Sequence, residues 1–125
     1  MTPNFFNLND TTGGIERELA PGITTRIHTG EHAMVSVVRF DAGIRGTVHH
    51  HPEEQWGLCV EGGGTRFQGD LAVAVAPGDF WRTPGGVPHT MEAGDDGLVV
   101  MDVFAPPRKA YTEPGSGFAA ESDTD

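Results

Sequence analysis

The sequence predicts an all-β, single-domain fold, an antiparallel sandwich or barrel, and three observations predict it. Glycine occurs 18 times and proline 9 times in 125 residues, a density of turn formers that long helices cannot accommodate. Short β-branched and apolar runs recur at intervals of about eight to twelve residues, as in sandwiches and barrels. No stretch carries sustained helical periodicity, and no repeat or shift of composition marks a second domain. A chain of this length forms one ordinary domain with one core.

Residues 1–14 (MTPNFFNLNDTTGG) read as a polar arm in which Phe5, Phe6 and Leu8 can pack against the barrel or a second subunit. Residues 15–110 hold the barrel. Ile15–Leu19 is a short edge strand, and Pro21-Gly22 turns the chain. Ile23, Thr25 and Ile27 alternate with Thr24 and Arg26, the period of a half-buried strand. Ala33–Phe40 (AMVSVVRF) is apolar at most positions and reads as a strand buried on much of both faces. After the Asp41-Ala42-Gly43 turn, Thr47–His51 reads as a strand that Pro52 stops or bulges. Gln55–Glu61 is the next strand, ended by Gly62, Gly63 and Gly64, and Thr65–Phe67 a short one after it. Gly69-Asp70 signals a hairpin leading into the strand around Leu71, Val73 and Val75. Phe80–Arg82 and Val87–Glu92 follow, each preceded by a Pro/Gly turn. Gly94–Gly97 (GDDG) reads as a turn before the last strand, Leu98–Phe104. Residues 111–125 form a polar tail, with disorder expected over Gly115–Asp125.

The net charge of −10 disfavours nucleic acid and anionic lipid as partners and serves solubility. The single cysteine, Cys59, excludes an intramolecular disulfide and sits in an apolar run, where a buried inert thiol is expected. No apolar stretch reaches membrane-spanning length, and the N-terminus lacks a basic region followed by an apolar one, so a cytoplasmic protein is expected.

Three of the six histidines are consecutive, in Val48–Gln55 (VHHHPEEQ). On a strand, residues i and i+2 face one side, so His49 and His51 project together and His50 projects away. Gln55 has the same parity and offers a carbonyl oxygen. His89, in GGVPHTM, lies on a distant strand, and a closed barrel sets distant strands across a narrow interior. Taken alone, HHH fits a surface loop cluster equally well. Three imidazoles and one oxygen suit one divalent transition-metal ion: Fe, Mn, Ni, Co, Cu or Zn. A glutamine cancels none of the ion's charge, where a glutamate would cancel one unit. The ion is then a stronger Lewis acid, which favours carbonyl or proton-transfer chemistry over dioxygen chemistry.

At these positions the chain resembles a cupin. The first cupin motif, G(X)5HXH(X)3–4E(X)6G, is matched by Gly43, His49, His51 and Gly62, with Gln55 in place of the glutamate. The second, G(X)5PXG(X)2H(X)3N, is matched by Gly78, Pro84, Gly86 and His89, with Ala93 in place of the asparagine. The resemblance implies a double-stranded β-helix, the jelly-roll barrel. Within cupins, HxHPxEQ followed by Asp102, Phe104, Pro106 and Arg108 resembles the KdgF-like group, which helps linearise unsaturated uronates. That resemblance implies that Asp102, Phe104 and Arg108 line a substrate pocket.

Asp102 shares a face with apolar residues, which is costly unless it is used or paired. It is either the general acid/base or the ion-pair partner of Arg108 or another basic residue. Arg108 either clamps a substrate carboxylate or lies on the surface. Met91 reads first as core; its parity with His89 sets it beside the metal, with contact to the substrate as the further expectation. Trp56, Phe67, Phe80 and Trp81 read as core. Arg39, Arg66 and Arg82 reach the cavity or form ion pairs. Glu53 and Glu54 read as solvated charge at the bend. The expected function is a metal-dependent lyase or isomerase acting on a small carbonyl or sugar-acid substrate. The rivals are an Fe(II) dioxygenase, a polyketide-cyclase-like enzyme, and a non-catalytic module that binds small molecules. Edge strands that need protection, together with Phe5, Phe6 and Leu8 on the arm, lead us to expect a homodimer.

Overall fold

The structure, a computed structural model, describes residues 3–119. Its strands are β1 (Ile15–Ala20), β2 (Ile23–Thr29), β3 (Met34–Phe40), β4 (Glu54–Gln68), β5 (Leu71–Val75), β6 (Phe80–Thr83), β7 (His89–Ala105) and β8 (Gly115–Ser116). A single 3-10 turn, Lys109–Thr112, lies between β7 and β8. The strands run in the order β5-β4-β7-β3-β2-β1-β8, with β6 added to β4. All the pairs are antiparallel except β1 with β8. The alternation read in the sequence decides which face turns inward. Ile23, Thr25 and Ile27 are buried on β2 while Thr24 is exposed. Opposite them, Met34, Ser36, Val38 and Phe40 face the same interior, joined by Leu98, Val100 and Phe104 of β7. Ile23 and Ile27 are wholly inaccessible, and each such side chain contributes about 1.5–3 kcal/mol relative to an exposed one. The one polar pair in that layer, Thr25 and Ser36, is satisfied by a hydroxyl–hydroxyl bond of 2.5 Å.

Several expected boundaries differ, for one recurrent reason. Gly62–Gly64 does not end a strand, and Gly94–Gly97 is not a turn. β4 and β7 run unbroken through both segments and pair along most of their length. The glycines make bulges instead, with register shifts between Cys59 and Glu61 and between Gly62 and Gly64. A Cβ at Gly62 would stand 2.1 Å from the Gly97 carbonyl oxygen, and one at Gly64 would stand 2.0 Å from that of Glu92. Such bulges bend the paired strands around the barrel without ending the ladder. The expected strand Thr47–His51 is reduced to isolated bridges, Arg45 with Glu92 and His49 with His89. Four residue steps on one chain face three on the other, so an extra residue interrupts the ladder.

Further corrections concern the surface and the ends. Trp56 and Phe80, read as core, are exposed on the barrel's outside, whereas Trp81 packs against the core. The arm folds onto its own barrel: Phe6 stacks on His28 with ring centroids 4.5 Å apart, and Arg39 Nη2 donates to the Leu8 carbonyl at 2.9 Å. The stretch Gly115–Ala119, for which disorder was expected, is ordered, with β8 on β1 and Phe118 and Ala119 against the core. The remainder of that expected tail, 120–125, lies outside the described residues. Among the described residues no helix is long and apolar enough to cross a membrane.

Candidate metal centre

His49, His51 and His89 converge inside the barrel, one ring nitrogen of each lying within 4.8 Å of the others. The bridge between His49 and His89 places two of the rings side by side: His49 N donates to His89 O at 3.1 Å, and His89 N to His49 O at 2.9 Å. His51, two residues beyond His49, brings its ring centroid to 5.0 Å from that of His89. All three are buried, whereas His50 is not, as the parity argument requires.

Each ring is held in the same way. Nδ1 of His49 meets the Thr47 carbonyl at 2.7 Å, Nδ1 of His51 the Glu53 carbonyl at 3.0 Å, and Nδ1 of His89 the Val87 carbonyl at 2.8 Å. A carbonyl only accepts, so each Nδ1 carries the proton and each Nε2 presents a lone pair to the shared space. Such outer hydrogen bonds fix the tautomer and orientation of metal-binding histidines. His89 Nε2 is buried and has no hydrogen-bond partner. His51 Nε2 lies 3.0 Å from Gln55 Oε1, another acceptor. Turning the amide over would set Oε1 toward Asp102, whose ionised form the Gln55 side chain favours. Buried acceptors left unpaired cost about 1–3 kcal/mol each. One cation facing the three Nε2 atoms and Gln55 Oε1 would satisfy them together, so the residues present fit a transition-metal ion.

The electrostatics favour neutral, metal-ready imidazoles. Burial pushes His49 and His51 down to about 4, with Arg108 adding to the shift. Burial, then the Arg66 charge, takes His89 down to about 2. Asp102 moves the opposite way: burial raises it to about 6, against the pull of Arg66, Gln55 and Arg108. Its Oδ1 is inaccessible and unpartnered, although the residue as a whole is half-buried. Among the described residues Asp102 makes no salt bridge with Arg108, one of the partners considered for it, and Arg108 faces Glu53 instead. Arg66, flagged in the sequence only as one of three strand arginines, is the cation whose charge acts most on Asp102. Arg66 is buried, and its Nη2 donates to Thr83 Oγ1 at 2.8 Å.

A cavity of about 30 Å³ is lined by His49, Gln55, His89, Met91, Asp102 and Phe104 among others, room for two or three water-sized groups at about 10–15 Å³ each. Phe104 and Met91 stand on the cavity wall and are at the same time part of the buried core. Arg108 does not line the cavity and is not a surface residue. It is buried, with its guanidinium 4.2 Å over the Tyr111 ring and 3.9 Å from Glu53 Oε1. Glu53, read as solvated, is only partly accessible and stands 3.4 Å from His51 Nδ1. Phe118 and Tyr111, which also line the cavity, had no sequence signal beyond their being aromatic residues in a polar tail.

The fold and the site together define a small β-barrel protein with a three-histidine centre in its interior. Residues 36–104 match the Cupin_2 model, the cupin domain, and the chain belongs to that family. Among solved structures it is similar to KdgF from Halomonas sp., at 29% identity and a TM-score of 0.71, over 76% of this chain and 90% of that one. It is similar also to an RmlC-like cupin from Shewanella frigidimarina, at 22% identity and a TM-score of 0.73, over 82% and 93% of the two chains. Bacillus subtilis oxalate decarboxylase gives 22% identity and a TM-score of 0.71, over 78% of this chain and 29% of that chain. The last two likenesses concern the fold. No curated protein matches the chain.

Proposed function

We propose that this cupin binds a divalent transition-metal ion through His49, His51 and His89, with Gln55 as the oxygen donor, and is a lyase or isomerase acting on a small carbonyl or sugar-acid substrate, an unsaturated uronate first. The observation that carries the reading is Asp102: an inward carboxyl raised to about 6, against Gln55 and on the wall of the cavity that the histidines line. A bound ion would supply Lewis-acid polarisation of a carbonyl or hydroxyl oxygen. The protein's own part is proton handling. An acid of this strength gives up and regains a proton near neutral pH, where general acid/base catalysis is most effective. The positive charge of Arg66 favours the ionised form of Asp102. Gln55 adds no charge of its own, so it leaves the ion's charge less compensated than a glutamate would and sets no like charge against Asp102.

The likeness to KdgF supports the uronate as the first substrate class to try. A non-catalytic binding module needs no acid or base beside the histidines, so the place of Asp102 on the wall of the same cavity supports the enzymatic reading. The test is elemental analysis of the purified protein, followed by turnover of unsaturated uronates with the metal found. Turnover that survives both chelation and Asp102→Asn at its normal rate would rule the mechanism out.

A further inference from the structure

The segment Gly115–Ala119 lays Phe118 against the site, and two buried arginines hold the segment by its main-chain carbonyls. Arg17 donates through Nε to Gly117 O at 2.9 Å and through Nη2 to Ser116 O at 2.8 Å. Arg108 Nη2 donates to Phe118 O at 2.8 Å and to Ala119 O at 2.7 Å. Tyr111 Oη adds a bond to Phe118 O at 3.3 Å, and Gly117 N donates to Glu18 O at 2.9 Å. Held there, the Phe118 ring stacks on His49 with centroids 4.4 Å apart and an interplanar angle of 27°. Gly46 makes room for it: a Cβ at that position would lie 3.2 Å from Phe118 Cζ. The backbone on both sides of Phe118 is left-handed, with φ of 81° at Gly117 and 53° at Ala119. Alanine adopts that region only against a steric cost.

With this strap in place the cavity is about 30 Å³, too small for any sugar acid. The arginine that could bind an acid group lies behind the strap. Arg108 Nη1 is buried without a partner, and the nearest carboxylate among its salt bridges is Glu53 at 3.9 Å. A carboxylate is a stronger acceptor for guanidinium than a peptide carbonyl, by roughly a factor of two, and can accept two parallel bonds. The Phe118 and Ala119 carbonyls therefore occupy a position for which an anionic ligand would compete.

We propose that Phe118 is the gate residue of the three-histidine site, and that a carboxylate ligand opens the gate by taking Arg108 from the Phe118 and Ala119 carbonyls. The second half rests on the reading above of a sugar-acid substrate; the first half stands without it. Strap closure then sets specificity. Neutral molecules of the same size cannot release the latch, and the ring returns over His49 when the acid leaves.

Two experiments separate the halves. In the first, Co(II)-loaded protein is mixed with EDTA, and loss of the cobalt absorption gives the rate of metal release. With Phe118→Ala this rate rises about ten-fold, because release requires the strap's local opening and the variant no longer closes the site. An unchanged rate in a variant with wild-type circular dichroism overturns the gate, whatever the substrate is. In the second, hydrogen exchange at the Gly117 amide is followed in the wild-type holoprotein, so no variant need fold. Saturating galacturonate speeds exchange about ten-fold while galactose does not. Galacturonate bound with Gly117 still protected overturns the latch. Galacturonate that does not bind at all counts against both the latch and the sugar-acid reading and leaves the gate to the cobalt result.

Discussion

Gln55 Oε1 and His51 Nε2 stand 3.0 Å apart with lone pairs facing one another. A proton between them would remove the repulsion, but burial holds the His51 ring near 4, so at neutral pH the proton is absent. The pair marks a position that a cation would stabilise, and its geometry fits the oxygen-donor role proposed for Gln55. It also makes Gln55→Glu the most informative single change. The added charge should tighten metal binding about ten-fold or more and lower turnover by a comparable factor, since it reduces the ion's Lewis acidity. The new carboxylate would also stand against Asp102 and raise that group further. The pH–rate profile should therefore move to higher pH. Metal titrations and profiles of the two proteins check both effects, and identical affinity with identical reactivity would defeat the neutral-ligand argument.

The histidine triad predicts acid sensitivity of the metal-free protein. Each ring is depressed by burial, to about 4 for His49 and His51 and to about 2 for His89. The unfolded chain binds protons below about 6.5 while the folded chain does not. Stability is therefore fully present above about 6.5 and falls with pH toward 4, by on the order of 1 kcal/mol per pH unit per ring. Urea melts in chelator at pH 7.5, 6 and 5 should show this loss, and added metal should displace the whole curve upward by mass action. Stability independent of pH across that range would mean that the rings are not buried neutral.

These two cases show what was legible in the sequence. The three-histidine cluster could be read because parity fixes His49 and His51 and a second motif supplies His89, so local geometry decides most of it. The place of Asp102 on the cavity wall could be read because an acid on an apolar strand face has few uses. Arg66 could not, because its surroundings come from Thr83 on β6 and Asp102 on β7, and no spacing links them. Phe118 could not either. Composition marks its neighbourhood as tail, and only its hydrogen bonds to Arg108 and to Arg17, a hundred residues away, reveal that the segment is anchored. Glycine clusters were misread because a positive φ serves a turn and a bulge equally well, and the partner strand makes the choice.

That last distinction yields a stability prediction. Gly62 has φ of +75° and would bring a Cβ to 2.1 Å from the Gly97 carbonyl oxygen, whereas Gly43, with φ of +73°, has open space around its Cβ position. Gly43→Ala should cost about 1–2 kcal/mol, the left-handed backbone penalty alone. Gly62→Ala should cost more than about 4 kcal/mol or prevent folding, because backbone must move against backbone. Thermal melts of the pair measure the difference, and equal costs would show that β4 and β7 do not approach as closely as described.

Asp102→Asn separates catalysis from architecture. The fold should survive, since Arg66 keeps its bond to Thr83 Oγ1 at 2.8 Å and its contact with Gln68 Oε1 at 3.3 Å. Turnover should fall by about 10²–10⁴, the usual contribution of a positioned acid or base. In the wild type, the carboxyl raised to about 6 should place an inflection in the rate near that pH, and the variant's residual rate should lack it. The same group carries a linkage signature. A carboxyl raised by burial binds its proton more tightly folded than unfolded, so it costs stability as pH rises from about 4 through 6, the reverse of the histidines. In the metal-free protein, Asp102→Asn should therefore steepen the rise of stability with pH over that interval. A variant with full activity, or with wild-type slope, would return Asp102 to a purely structural place beside Arg66.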